Sequence, residues 1–292
     1  MNTKKLLGLY GLKWNPFSPD LPAEGLLVTA GINDFAWRVE NLVHDGGFAL
    51  ITGEVGTGKS VALRILFQRL SALPELTVGV LTRPQSWAGD FYRELGEIFG
   101  VPLTPRNRWG GFKALRERWK SHVESSLLRP VLLIDEAQEM VPEVLSELRL
   151  LASAHFDSTS YLTAVLCGDT RLTELFRHAD LVPLGSRIRT RLVLDYASRE
   201  QLRELLLHAM TKAGNRKLMT TQLMDTLVEH SAGNYRVLMT MAGELLMAAA
   251  ARETTEMDEK LYFEVFPSQP RRREARGESG GVAPGTAKEG RR

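Results

Sequence analysis

Apolar residues recur along the chain with two alternating periods. Phe35, Val39, Leu42 and Val43 lie on one face of a helix that begins near Ile32 and stops at Gly46-Gly47. The apolar run Phe48–Ile51 follows and predicts a short buried strand. From Val61 to Leu73 the helical period returns, with Leu63, Leu66, Phe67 and Leu70 on one stripe. The same reading predicts a strand at Leu76–Leu81, helices near Trp87–Phe99 and Phe112–Leu128, and a strand at Val131–Asp135. A helix at Pro142–Ala154, with proline near its start, precedes strands at Leu162–Leu166 and Arg191–Asp195. Strands alternating with helices predict an α/β fold: a five-stranded parallel sheet sandwiched by helices.

Beyond Ser198 the strand pattern ends. Helices are expected at Glu200–Ala213, Thr221–Ser231 and Tyr235–Ala251, with a short fourth at Met257–Val265. Residues 1–31, rich in Gly, Pro and Leu, read as an irregular N-terminal arm. From Ser268 the chain is rich in Gly, Arg and Glu and nearly free of aliphatics, so a disordered tail is expected. The organisation is thus an arm (1–31), an α/β domain (32–195), a small all-α domain (196–267) and a basic tail (268–292).

Composition narrows this picture only a little. The 292 residues are 43% hydrophobic and 25% charged, enough apolar material for a sizeable core. Cys167 is the single cysteine, which rules out an internal disulfide. No apolar run reaches the roughly 18 residues of a membrane span, and no secretory leader is read, so a cytoplasmic protein without membrane contact is expected. The net charge is +2, but the tail from Ser268 carries +4 and the preceding residues −2. Any nucleic-acid surface must therefore be a local patch.

Gly53-Glu54-Val55-Gly56-Thr57-Gly58-Lys59-Ser60 has the Gly-x-x-x-x-Gly-Lys-Ser spacing of a P-loop, between a predicted strand and a predicted helix. Glycines let backbone N–H groups turn around phosphate oxygens, Lys59 reaches the β- and γ-phosphates, and the Ser60 hydroxyl ligates Mg2+. The apolar strand Val131–Ile134 then delivers Asp135 to the magnesium and Glu136 to the attacking water. ATP with Mg2+ is the expected cofactor, and ATP hydrolysis the expected activity.

These residues resemble the AAA+ ATPases, over roughly Leu12 to Ala250. The resemblance implies a helical lid after the α/β domain. It places a polar sensor 1 residue at the end of the fourth strand, here Asp169 or Thr170. It also implies an arginine finger acting on a neighbouring subunit, from Gly185-Ser186-Arg187-Ile188-Arg189, with Arg187 preferred over Arg189. Gly233-Asn234-Tyr235-Arg236 resembles the sensor 2 motif, with Asn234 capping the helix and Arg236 facing the γ-phosphate. The segment Tyr10-Gly11-Leu12-Lys13-Trp14-Asn15-Pro16-Phe17 and the run Asp135-Glu136-Ala137-Gln138 resemble a bacterial subgroup. It contains transposon-encoded helper ATPases and secretion-pathway A-type ATPases.

No membrane span or cell-wall-binding domain follows the helices, which favours the transposon helpers. Those proteins oligomerise on double-stranded DNA as rings or helical filaments, mark a target and engage a transposase or integrase, with a target-site adaptor as a further partner. A basic aromatic segment fits DNA: residues 106–120 hold six Lys/Arg and one Glu. Arg106, Arg108, Lys113, Arg116 and Lys120 are its candidate contacts, with Arg83 and Gln85 on the loop after the second strand. The opposing reading makes Phe112, Leu115 and Trp119 a core stripe and the cations its solvated face. The alternative function is a secretion- or envelope-assembly ATPase that does not bind DNA.

Overall fold

The computed structural model describes residues 3–101, 108–126, 128–155 and 158–267. Helices α1 (Thr3–Tyr10) and α2 (Ala30–Asp45) lead into β1 (Gly47–Gly53) and α3 (Lys59–Ser71). β2 (Leu76–Leu81), α4 (Ala88–Phe99) and α5 (Arg108–Ser121) follow, then β3 (Arg129–Ile134) and α6 (Pro142–Ala152). A two-residue ribbon, β4 (Ser153–Ala154) with β5 (Thr159–Ser160), precedes β6 (Thr163–Gly168), α7 (Thr170–Leu175), α8 (Val182–Gly185) and β7 (Ile188–Leu194). Helices α9 (Arg199–Ala213), α10 (Thr221–His230), α11 (Tyr235–Ala251) and α12 (Glu259–Val265) form a C-terminal helical region.

Five strands make one parallel sheet in the order β2-β3-β6-β1-β7. Successive side chains of a strand point to opposite faces. Phe48, Leu50, Leu132, Ile134, Ala164 and Leu166 accordingly enter one core with α4, α5 and α6. Ala49, Ile51, Val131, Leu133, Val165 and Cys167 enter the other, with α2 and α3. Burial on both faces explains why β1, β3 and β6 read as unbroken apolar runs.

Two expectations need correction. The N-terminal segment is not wholly irregular: α1 is helical, and its Leu6 and Tyr10, four residues apart, enter the core of the C-terminal helices together with Leu12 and Phe17. Long-range contacts supply what a short, glycine-containing helix lacks on its own. Lys13 N–H donates to the Ala213 carbonyl at 2.8 Å, and the Asn215 side chain donates to the Tyr10 carbonyl at 3.0 Å. The fifth strand begins at Ile188 rather than Arg191. Its register on β1 jumps from Phe48↔Ile188 to Ala49↔Thr190, which leaves Arg189 as the unpaired residue of a bulge, turned outward. The ribbon β4–β5 had no signal of its own, two residues being too few for a period. The basic tail from Ser268 lies outside the described residues.

Packing shows the apolar stripe of α5. Leu115 and Trp119 are fully buried, and Trp119 meets Phe99 edge-on at 5.3 Å between ring centres. Lys113 and Lys120 are exposed on the opposite side. Trp119→Ala should therefore destabilise the protein by about 3–5 kcal/mol in denaturant unfolding, whereas Lys120→Ala should change stability by less than about 0.5 kcal/mol.

Candidate nucleotide site

The P-loop leaves the C-terminal end of β1 and closes on the first turn of α3. Gly56 (φ 84) and Gly58 (φ 96) hold left-handed backbone that a side chain would disfavour. The Glu54 carbonyl accepts from the Thr57 hydroxyl at 2.8 Å and from Lys59 Nζ at 3.0 Å. Lys59 is only 8% exposed, and a carbonyl uses one of its three donors. A cation sunk beside a helix N-terminus is costly unless an anion joins it. The residues present thus fit a phosphate chain.

β6 lies between β1 and β3, with Thr52 opposite Gly168 and Ile134 opposite Leu166. Two strand spacings, about 10 Å, therefore separate β1 from β3 sideways, and Ile134 at the end of β3 is level with Leu50 while β1 continues to Gly53 before the P-loop. Asp135 is half-buried there, and its carboxylate accepts the Glu136 N–H at 2.9 Å. Ser60, exposed on the first turn of α3, and Asp135 suit magnesium, which takes one or two protein ligands beside phosphate oxygens and water. Glu136 is exposed and adopts φ 51, an unusual backbone for a side-chain-bearing residue. Cys167 is buried behind this end of the sheet. Burial, and next the Asp135 carboxylate, push its thiol well above the usual range, which leaves it an inert core residue.

Asp169 caps α7, accepting the Arg171 N–H at 2.9 Å, and its carboxylate pairs with the Arg171 guanidinium at 2.8 Å. Burial alone would raise its pKa, but the Arg171 hydrogen bonds and charge, with Lys59 nearby, hold it below the ordinary carboxylate value. Thr170 turns its hydroxyl to the Glu54 carboxylate at 3.3 Å. Arg236 is brought to the P-loop: its backbone N–H donates to the Gly56 carbonyl at 3.4 Å, and its side chain is exposed. Asn234 caps α11 through Val237 N–H and donates to the Val55 carbonyl at 2.9 Å. That second bond spans 179 residues of sequence, and local pattern carries no signal for it.

Arg187 lies at the opposite end of the sheet, just before β7, whose start pairs with the start of β1. Seven strand residues, about 20 Å, separate it from the P-loop of its own chain. Its guanidinium donates to the Pro183 carbonyl. Arg189 pairs with Asp45 at 3.5 Å. Of the candidate DNA contacts, Arg83 is exposed on the loop after β2, a loop pinned by Glu94, which accepts from Thr82 N–H and hydroxyl at 2.6 Å each. Arg116 is drawn inward: it donates to the Leu150 carbonyl at 2.8 Å and lies over the rings of Phe112 and Tyr161. Arg106 and the Arg108 side chain lie outside the described residues. Among the described residues no helix is long and apolar enough to cross a membrane.

Residues 42–176 match the family model described as AAA domain. General secretion pathway protein A of Aeromonas hydrophila is 32% identical over 248 residues, which are 83% of this chain and 44% of that protein. The chain thus spans less than half the length of this curated relative. Among solved structures, Cdc6p from Pyrobaculum aerophilum superposes with a TM-score of 0.67 at 15% identity, over 83% of this chain and 67% of that one. The Aeropyrum pernix ORC1 protein in complex with DNA gives 0.65 at 18% identity, over 86% and 67%. The five-stranded parallel sheet flanked by helices and the helical C-terminal region give the chain the fold of the AAA+ P-loop ATPases, with residues 42–176 similar to the AAA domain.

Proposed function

We propose that this protein is an ATP-hydrolysing assembly switch whose subunits complete one another's sites on double-stranded DNA. The observation that carries the proposal is the separation of Arg187 from its own P-loop, at opposite ends of the paired strands β1 and β7. An arginine so placed can neutralise phosphoryl charge only in a neighbouring subunit. In this reading Lys59 and the P-loop amides hold the phosphates, and Ser60 and Asp135 hold the magnesium. Glu136 takes the proton of the attacking water. Arg236 closes over the nucleotide from the lid formed by the C-terminal helices, with Asp169 or Thr170 at the sensor 1 position. Bound ATP supplies the cleavable phosphoanhydride, and its loss loosens the interface.

Support for DNA is the exposed Arg83 loop and the cationic face of α5, notably Lys113 and Lys120, together with the DNA complex formed by the structurally similar ORC1 protein. The finer role follows the resemblance to transposon helper ATPases: target selection, and recruitment of a transposase or integrase, in the cytoplasm. The 32% identity to a general secretion pathway protein favours a second reading, an ATPase that assembles envelope machinery. A membrane-spanning partner that co-purifies with a protein lacking DNA affinity would select it.

Glu136→Gln should lower phosphate release by at least about 100-fold while ATP binding is kept, and Lys59→Ala should weaken ATP binding itself. Turnover that survives in Glu136→Gln would refute the assignment of the base. Arg187→Ala and Lys59→Ala should each be nearly inactive alone, and mixing them should raise activity at least about tenfold above either variant, because some interfaces then pair an intact P-loop with an intact arginine. Duplex DNA should shift in gels with ATP or a slowly hydrolysed analogue, less with ADP, and the shift should weaken steeply with salt. Equal or absent binding in all nucleotide states would sink the DNA reading.

A further inference from the structure

Directly after the two acids the chain makes one tight helical turn, Ala137–Glu139, and Gln138 is its buried polar member, 8% exposed. Its carboxamide faces two ways. Nε2 donates to the Glu136 carboxylate, and Oε1 accepts the backbone N–H of Asp169 at 3.1 Å. The two partners fix the orientation of the amide. Turned over, it would set its oxygen against a carboxylate and its NH2 against an N–H donor. Gly168 makes room for this arrangement, since a Cβ there would collide with Gln138 Oε1 and lie 3.3 Å from its backbone nitrogen.

Asp169 is committed elsewhere, to the cap of α7 and to Arg171. The polar group that stands beside Glu136 at the end of β6 therefore comes from the β3 side. Glu136 itself occupies left-handed backbone, and its carboxylate is held by the Gln138 amide. The Asp169 amide at the other end of Gln138 belongs to the same short turn as Thr170, whose hydroxyl meets Glu54 of the P-loop.

We propose that Gln138 is the positioning residue for the Glu136 base, supplying at the β3–β6 junction the carboxamide that Asp169 does not; this rests on the hydrolysis reading above. Gln138 aims the carboxylate and ties its position to the strand end that borders the P-loop. Replacing it alters the rate of water attack and leaves the phosphate cradle intact.

Gln138→Glu is the discriminating variant: it keeps an oxygen for the Asp169 N–H and loses the donor to Glu136. Its kcat should fall at least about tenfold, with ATP affinity held within about twofold. A second carboxylate buried against Glu136 should also lower the melting temperature, so the rates are compared where both proteins remain folded. Gln138→Met, which removes both bonds, should lose as much kcat and melt lower. In a Glu136→Gln background, adding Gln138→Glu should change the residual rate less than about twofold, since both residues act through one group. Gln138→Glu turning over at the unaltered rate would overturn the inference, as would a kcat loss matched by an equal loss of ATP affinity. No phosphate release from the unaltered protein, with or without DNA, would instead overturn the hydrolysis reading and this inference with it.

Discussion

Strand β6 is hydrogen-bonded on both edges and buried on both faces, and it holds β1 and β3 about 10 Å apart, with the end of β3 at Ile134 level with Leu50 while β1 continues to Gly53. This spacing sets the size of the nucleotide site. The P-loop starts where β1 ends, and Asp135 and Glu136 start where β3 ends. A slip of one residue in either ladder would turn every side chain of that strand to the wrong face, so burial on two sides locks the register. The turn after β6 contributes Asp169 and Thr170 to the same edge.

Polar groups at this edge are shared closely. Glu54 accepts from Thr170, Asp135 from the Glu136 amide, Glu136 from Gln138, and Asp169 from Arg171. Lys59 is the exception, a nearly buried ammonium with a carbonyl as its hydrogen-bond acceptor. That imbalance is chemically directional: it favours an anion and makes the loop a receptor for phosphate. Asn234 and Arg236 bring the helical region into direct contact with the same loop.

The N-terminal segment joins the two cores. Leu6, Tyr10, Leu12 and Phe17 belong to the helical core, Leu21 and Leu26 belong to the core under α2 and α3, and Trp14 packs against both. A segment divided in this way resists any motion of the helices that leaves the sheet behind. Its composition suggested irregular chain because its helix is short and its partners lie some 200 residues away, beyond the reach of periodicity.

Much of this protein was legible in its residues. Apolar runs bounded by glycines predicted the sheet, since buried parallel strands must be apolar on both faces. The P-loop spacing and the paired acids Asp135 and Glu136 led to the nucleotide expectation, because phosphate and magnesium restrict which side chains can hold them. Tertiary structure alone decided which groups meet across the chain: Gln138 on Glu136, Asn234 on the P-loop, Arg171 on Asp169, and Arg187 remote from its own site. The physical reason is that a period or a motif records the local needs of the backbone, whereas a hydrogen bond between distant segments forms only after the hydrophobic layers have set their distance and register.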